Sequence, residues 1–229
     1  MQALISNKKP IPWDESPAET TWNSNTKIIC YSCADASIGA NDTIHIKAVY
    51  EYLKNKKEFQ LLVRTSPADD GERFNELKEN YPDIIWNVPK WYQVRDGHAE
   101  AWSQRLPSIE DVIDLKAILK YSFMNINMLS TMSLDFMLFD KPVINTVFGN
   151  TSNGLYNDQR FLNYRHYSYV IDSGAVNIAK EKSSLFKHLD ETIANPNLKA
   201  EQRKAIIDLE ISCELKGTSQ RITKYLSKL

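Results

Sequence analysis

Residues Met124–Val147 read MNINMLSTMSLDFMLFDKPVINTV, and this stretch decides the fold. An apolar run (Phe123, Met124, Ile126, Met128, Leu129) stops at Ser130-Thr131. A short segment of helical pattern follows, Met132 to Phe139. Lys141-Pro142 then opens a second apolar, β-branched run, Val143 to Val147. The expected order is strand, tight turn, helix, strand. Such a turn sets two hydroxyls and several backbone N–H groups at a helix start, which is the chemistry of an anion site.

Working outward, the same alternation recurs. Strands are expected at 27–34 (KIICYSCA), 59–64 (FQLLVR) and 84–88. Between them a helix over about 43–56 places Ile46, Val49, Tyr50 and Leu53 on one face, with Asn41 or Asp42 as its cap. A second helix runs from Asp69-Asp70 to Asn80. Residues 89–107 read as irregular and aromatic. Ser108 caps a helix over 109–121, with Asp111 three residues on in a loose, acidic capping box. Downstream, 148–164 reads as loop, 167–171 as a last strand, and 183–194, 201–215 and the stretch from Gly217 to Leu229 as helices. Strands alternating with helices imply an α/β domain with a mainly parallel sheet and helices on both faces. It spans 27–229. Residues 1–26, polar and carrying Pro10, Pro12 and Pro17, read as an arm or linker.

Composition closes several alternatives. With 28 basic and 29 acidic residues the net charge is −1, which gives no overall electrostatic footprint for nucleic acid or an anionic membrane. No window approaches a membrane span, and the N-terminus lacks the apolar core of a secretory signal. Three cysteines, Cys30, Cys33 and Cys213, fit a reducing compartment, so a cytoplasmic location is expected. Cys30-x-x-Cys33 reads as strand thiols rather than a redox or zinc pair. His45, His166 and His188 show no metal spacing, and neither metal nor cofactor is expected. There is no G-x-G-x-x-G after the first strand, no Walker loop and no G-x-S-x-G elbow.

Ligands of such sheets bind beyond the C-terminal strand ends. Ser130 and Thr131 lie there, as phosphate ligands or as plain caps. Asp135 fits no capping box, because the acidic position would be Ser133 or Leu134. It stands four residues after Thr131, one turn deeper on the same face, where a carboxylate could accept from two ribose hydroxyls. Arg64 ends a strand on that edge, free for a phosphate or tied to Asp69, Asp70 or Glu72. Ser66 offers a hydroxyl or a turn. Trp91, Tyr92 and Trp102 are candidates to stack on a base, or a hydrophobic cluster under a long loop. His98, beside Asp96 and Glu100, is a candidate general base or an exposed loop histidine.

Three segments carry a resemblance: LLVRTSP (61–67), DVIDLKAILK (111–120) and NINMLSTMSLDFMLFDKPVI (125–144). They are similar to the C-terminal half of GT-B-type glycosyltransferases, above all bacterial surface-polysaccharide enzymes and, more distantly, CDP-glycerol glycerophosphotransferases. The tail from Tyr167 to Arg203, ending in an "L…NP…R" pattern, resembles the closing strand and helices of that half. The resemblance implies one Rossmann-like lobe with a nucleotide diphosphate sugar as donor substrate. Ser130 and Thr131 would contact the diphosphate, and Asp135 falls at a ribose-binding acidic position seven residues before Pro142. Arg64 matches the basic residue of an "R/K-P-H-P" motif, in which Ser66 replaces the histidine. Asp140 stands where a glycine commonly ends the helix, a left-handed position that aspartate tolerates. An acceptor lobe would supply the catalytic base, from a longer chain, a homodimer or a separate acceptor-binding subunit. An epimerase-like enzyme acting on UDP-sugars and a non-catalytic assembly module remain alternatives.

Overall fold

The computed structural model describes residues 26–69, 71–99, 101–149 and 158–228. The expected arm at 1–26 lies outside them apart from Thr26. Six parallel strands form the central sheet: β1 (Lys27–Ser32), β2 (Phe59–Arg64), β3 (Ile85–Asn87), β6 (Ser122–Asn127), β7 (Val143–Thr146) and β8 (Asn177–Ala179). Their order is β3-β2-β1-β6-β7-β8. A small antiparallel hairpin, β4 (Trp91–Gln93) and β5 (Arg105–Pro107), is inserted between β3 and β6. Without it the order is that of a doubly wound Rossmann sheet, which reverses between β1 and β6.

Alternation along the strands sorts the helices onto two faces. Ile29 and Tyr31 of β1 pack with Met124 and Ile126 of β6 beneath α1 (Asp42–Leu53), α2 (Asn75–Asn80) and α6 (Lys182–Ala194), through Ile46, Val49, Leu77, Leu185 and Leu189. Ile28 and Cys30 face the other way. There they meet Ile118 of α3 (Ile109–Tyr121), Phe136 of α4 (Met132–Met137), Tyr167 and Val170 of α5 (Arg165–Asp172), and Ile206 of α7 (Ala200–Ile211). Helix α8 (Thr218–Leu226) closes the described chain. Cys30 and Cys33 are buried and unbridged, and burial raises both thiols well above their usual range, which suppresses thiolate chemistry.

Two expectations need correction. Residues 167–171 are not a strand. The run YSYVI lies in α5, with Tyr167 and Val170 buried three residues apart, a helical spacing; the last strand is the three-residue β8. The stretch 89–107, expected to be irregular, contains the β4–β5 hairpin. The cap of α3 holds, since Ser108 Oγ accepts from the Asp111 N–H at 3.0 Å. Asp140 does adopt a left-handed conformation, φ 52°. The Arg203 of the tail pattern is buried and donates to Asp140 at 2.8 Å, fastening α7 to the end of the α4 segment.

Candidate functional site

The β6–α4 turn sits at the point where the strand order reverses. Leu129 adopts φ 47°, an uncommon conformation for a branched side chain. A buried network holds it. Asn127 Oδ1 accepts from the Ser130 N–H at 2.8 Å and from Asn145 Nδ2 at 2.8 Å. Asn127 Nδ2 donates to Asn125 Oδ1 at 2.5 Å and to Ser133 Oγ at 3.0 Å. Tyr167 O–H donates within reach of Ser133 Oγ, 2.7 Å, and Asn145 Oδ1, 3.1 Å. Asn125 Nδ2 reaches across to Ser32 Oγ of β1 at 2.8 Å. Apart from Ser130 of the turn itself and Tyr167, every member belongs to β1, β6, β7 or α4, so the network ties the turn to the sheet. The signal was present in the sequence as asparagines inside apolar runs, at 125, 127 and 145, where apolar residues are the rule in a buried parallel strand.

Of the expected ligand groups, Ser130, Thr131 and Asp135 lie together on this turn and helix. Ser130 Oγ accepts from the Met132 N–H at 3.3 Å, a local turn bond. Thr131 is exposed, and its hydroxyl has no partner among the described residues. Asp135 is half-buried and also lacks a hydrogen-bond or ion-pair partner among them. Desolvation raises its carboxyl above the usual range.

Two of the other expected groups, Arg64 and Trp91, meet two strands away at Asp111. Arg64 is buried. Its guanidinium donates to Asp111 Oδ2 at 2.9 Å and to Asn87 Oδ1. Trp91 Nε1 donates to the same Asp111 oxygen at 2.7 Å, and the Lys90 N–H to the other at 3.0 Å. Ser66 is buried and accepts from the Ala68 N–H at 3.3 Å. The arginine that meets Asp69 is Arg73, at 2.5 Å, which also bonds Asp42 at 3.0 Å; Asp70 lies outside the described residues. His98, in the loop between β4 and β5, is exposed, with Ser103 Oγ 2.7 Å from its Nδ1. Trp102 falls in the short turn Ala101–Gln104, and its side chain lies outside what is described.

Sequence reasoning missed the surroundings of the crevice. A cleft of about 80 Å³ lies beside the turn, lined by Ile38, Met128, Leu129, Phe161, Tyr164, His166 and Tyr167. Tyr164 sits edge-on to Phe161, with ring centroids 5.1 Å apart, and 5.8 Å from His166. A larger hollow of about 330 Å³, lined by Thr26, Lys54, Phe59 and Asp83 among others, lies at the opposite edge, where the strands begin.

Sequence reasoning also missed a polar cluster on the α1 face of the crevice. Tyr31 O–H donates to Asp42 Oδ1 at 2.7 Å. His45 Nε2 meets the Phe148 carbonyl at 2.5 Å, so that nitrogen carries the proton and Nδ1 can accept from Thr146 Oγ1 at 3.1 Å. Burial holds His45 down at about 4 and lifts Asp42 to about 7, the latter opposed by Arg73. Asp158 Oδ1 accepts from Asn41 at 3.1 Å, while its Oδ2 is buried without a hydrogen bond and 3.9 Å from His45 Nε2.

No family model matches the chain, and no curated protein matches it by sequence. Solved structures do. The wall teichoic acid polymerase TagF superposes with a TM-score of 0.54 at 15% identity, over 90% of this chain and 44% of that one. A TagF variant, H444N, soaked with CDPG gives 0.52 at 16% identity, over 90% and 43%. The chain has the fold of one GT-B lobe. It spans less than half the length of the polymerase chains it matches. A likeness to S. aureus MnaA bound to UDP is weaker, with a TM-score of 0.49 at 15% identity over 78% of this chain and 39% of that one. In this GT-B lobe the β6–α4 turn, the aromatic cleft and the Asp111 cluster all stand along the C-terminal strand edge.

Proposed function

We propose that the chain is the donor-binding lobe of a metal-independent glycosyltransferase that serves cell-surface polysaccharide synthesis. Asp135 carries this reading. A half-buried carboxylate without donors is costly to keep in a folded chain, and proteins retain such costs at functional sites. The vicinal hydroxyls of a ribose supply two donors to one carboxylate. Thr131, one turn away, offers a free hydroxyl to the diphosphate, and Ser130 lies beside it.

In this reading the Asp111 cluster and the aromatic cleft lie on opposite sides of the phosphates. The base lies toward Trp91, whose indole Asp111 holds in place. The sugar lies over Tyr164 and His166, whose flat faces suit a sugar ring. Arg64 works through Asp111: it neutralises that carboxylate and so fixes the Trp91 side. Preorganised donors at the turn stabilise the leaving diphosphate. The base that activates the acceptor comes from a second lobe or a partner chain.

Calorimetric titration with CDP-, UDP- and GDP-sugars tests the proposal. One of them should bind, and Asp135→Asn should weaken it by on the order of tenfold, the worth of a hydrogen bond to a charged group. The variant should lose that penalty against the 2′-deoxy analogue of the same nucleotide. Absence of binding by all three to the folded chain would overturn the reading.

A further inference from the structure

The wall of the aromatic cleft is fastened by an acid with one oxygen left over. Phe161, which lines the cleft, belongs to the short turn Asp158–Asn163, and Tyr164 follows directly. Asp158 opens that turn and is only 2% exposed. Its Oδ1 accepts from Asn41 Nδ2 at 3.1 Å, just ahead of α1. Its Oδ2 is buried and has no hydrogen bond. His45 Nε2 stands 3.9 Å from that oxygen but gives its proton to the Phe148 carbonyl at 2.5 Å. The other charged groups nearby have different partners. Asp42 takes Tyr31, the Ala34 N–H and Arg73. Arg160, on the turn itself, lies over the Phe161 ring, 4.6 Å from its centroid. From the β8 side the turn meets the carbonyl of the exposed Lys180, through Gln159 Nε2 at 3.3 Å.

A buried carboxylate oxygen without a donor disfavours the charged form. Burial lifts the Asp158 carboxyl from 3.8 to about 6, against the opposing pull of Asn41 and Arg160. Neutral, the group costs little where it sits. Ionised, it gains hydration by reaching water, and it reaches water only by moving away from α1 with the turn that carries it. We propose that Asp158 is a proton-dependent fastening of the cleft wall: the protonated acid keeps residues 158–164 against the start of α1, and loss of its proton to solvent loosens them. The cleft beside the β6–α4 turn is then fully formed in mildly acidic solution and relaxed near neutrality. The fastening acts whatever the cleft binds, so it stands apart from the donor-site reading.

Amide hydrogen exchange of the full chain without any ligand, at about pH 5 and about pH 7.5 and corrected for the intrinsic rate, tests it. With carboxyl values of 3.8 when the wall is open and about 6 when it is closed, protection over Phe161–Tyr164 should fall about tenfold across that interval. Asp158→Asn, a neutral stand-in for the protonated acid, should abolish the fall and keep the protection high at the upper pH. Carbon NMR of the parent chain gives a second readout that needs no variant. The Asp158 carboxyl should titrate near 6, and the amide shifts of Phe161–Tyr164 should move with the same midpoint. An Asp158 carboxyl that titrates near 3.8 would overturn the proposal, as would an undiminished fall in Asp158→Asn. So would a fall shared equally by the amides of β1 and α1, since the proton would then govern the whole lobe and not its wall.

Discussion

On the β2 side of the central strand, the buried charges meet one another. Arg64 meets Asp111, and Arg73 meets Asp42 and Asp69. Around the β6–α4 turn the buried groups are neutral: Asn125, Asn127, Asn145, Ser133 and Tyr167 satisfy one another through amides and hydroxyls. The charged side closes on itself and keeps its carboxylates and guanidinium groups for its own architecture. The neutral side shapes a turn and leaves the nearby carboxylate, Asp135, unclaimed. A charge that already has its partner is thus a poorer guide to a ligand than an uncharged scaffold with one lone acid beside it.

Breaking the charged side should have the largest effect. Asp111→Ala strands a buried guanidinium and should cost about 3–5 kcal/mol in urea unfolding, whereas Arg64→Met/Asp111→Leu should recover most of that loss. A cost below about 1 kcal/mol for the single variant would show that the pair does not close this side. On the neutral side, Asn127→Ala leaves the Ser130 N–H and the Asn145 amide without their acceptor. About 2 kcal/mol is expected, together with weaker nucleotide binding as the turn relaxes. Equal nucleotide affinity would separate the turn from the site.

The smallest effect concerns the seam between the halves, where Asn41 meets Asp158. Burial lifts the Asp158 carboxyl from 3.8 to about 6. The folded chain therefore keeps a proton that the unfolded chain gives up, and this contribution to stability is lost as pH rises through that window. His45, lowered from 6.5 to about 4, acts in the opposite sense, its contribution being lost as pH falls. Asp158→Asn removes the first slope and leaves that of His45 together with that of Asp42, whose carboxyl burial lifts to about 7 and which acts in the same sense as Asp158. Between those pH values the variant's melting temperature should fall less, or rise more, with pH than the parent's.

Much of this architecture was legible in the chain because its cause is local. β1, β2, β6 and β7 are short runs rich in apolar residues; α1 repeats its apolar residues at three and four; Ser108 caps; Asp140 takes the left-handed corner. The grouping of Ser130, Thr131 and Asp135 was legible too, since one turn of helix fixes it. What escaped was long-range or too short to carry a pattern. Arg64 finds its acid 47 residues away, beyond any spacing rule. β8 has three residues, too few to show a period, while the aromatic YSYVI run beside it imitates a strand. The crevice wall at Phe161 and Tyr164 was hidden because 148–164 read only as loop.

The order of the strands also sets the order of assembly. β1 lies at the middle of the sheet, yet its β6 partner follows nearly a hundred residues later, with Ile28 opposite Ser122. A chain emerging from the ribosome can pair β1 with β2 early and β2 with β3 soon after. One edge of β1 must wait until the hairpin and α3 have also been made. Late closure of this kind is characteristic of high contact order, and it leaves an apolar strand edge open while the rest is synthesised. The crevice between β1 and β6 is therefore also the seam that the growing chain closes after β1, β2 and β3 are already in place.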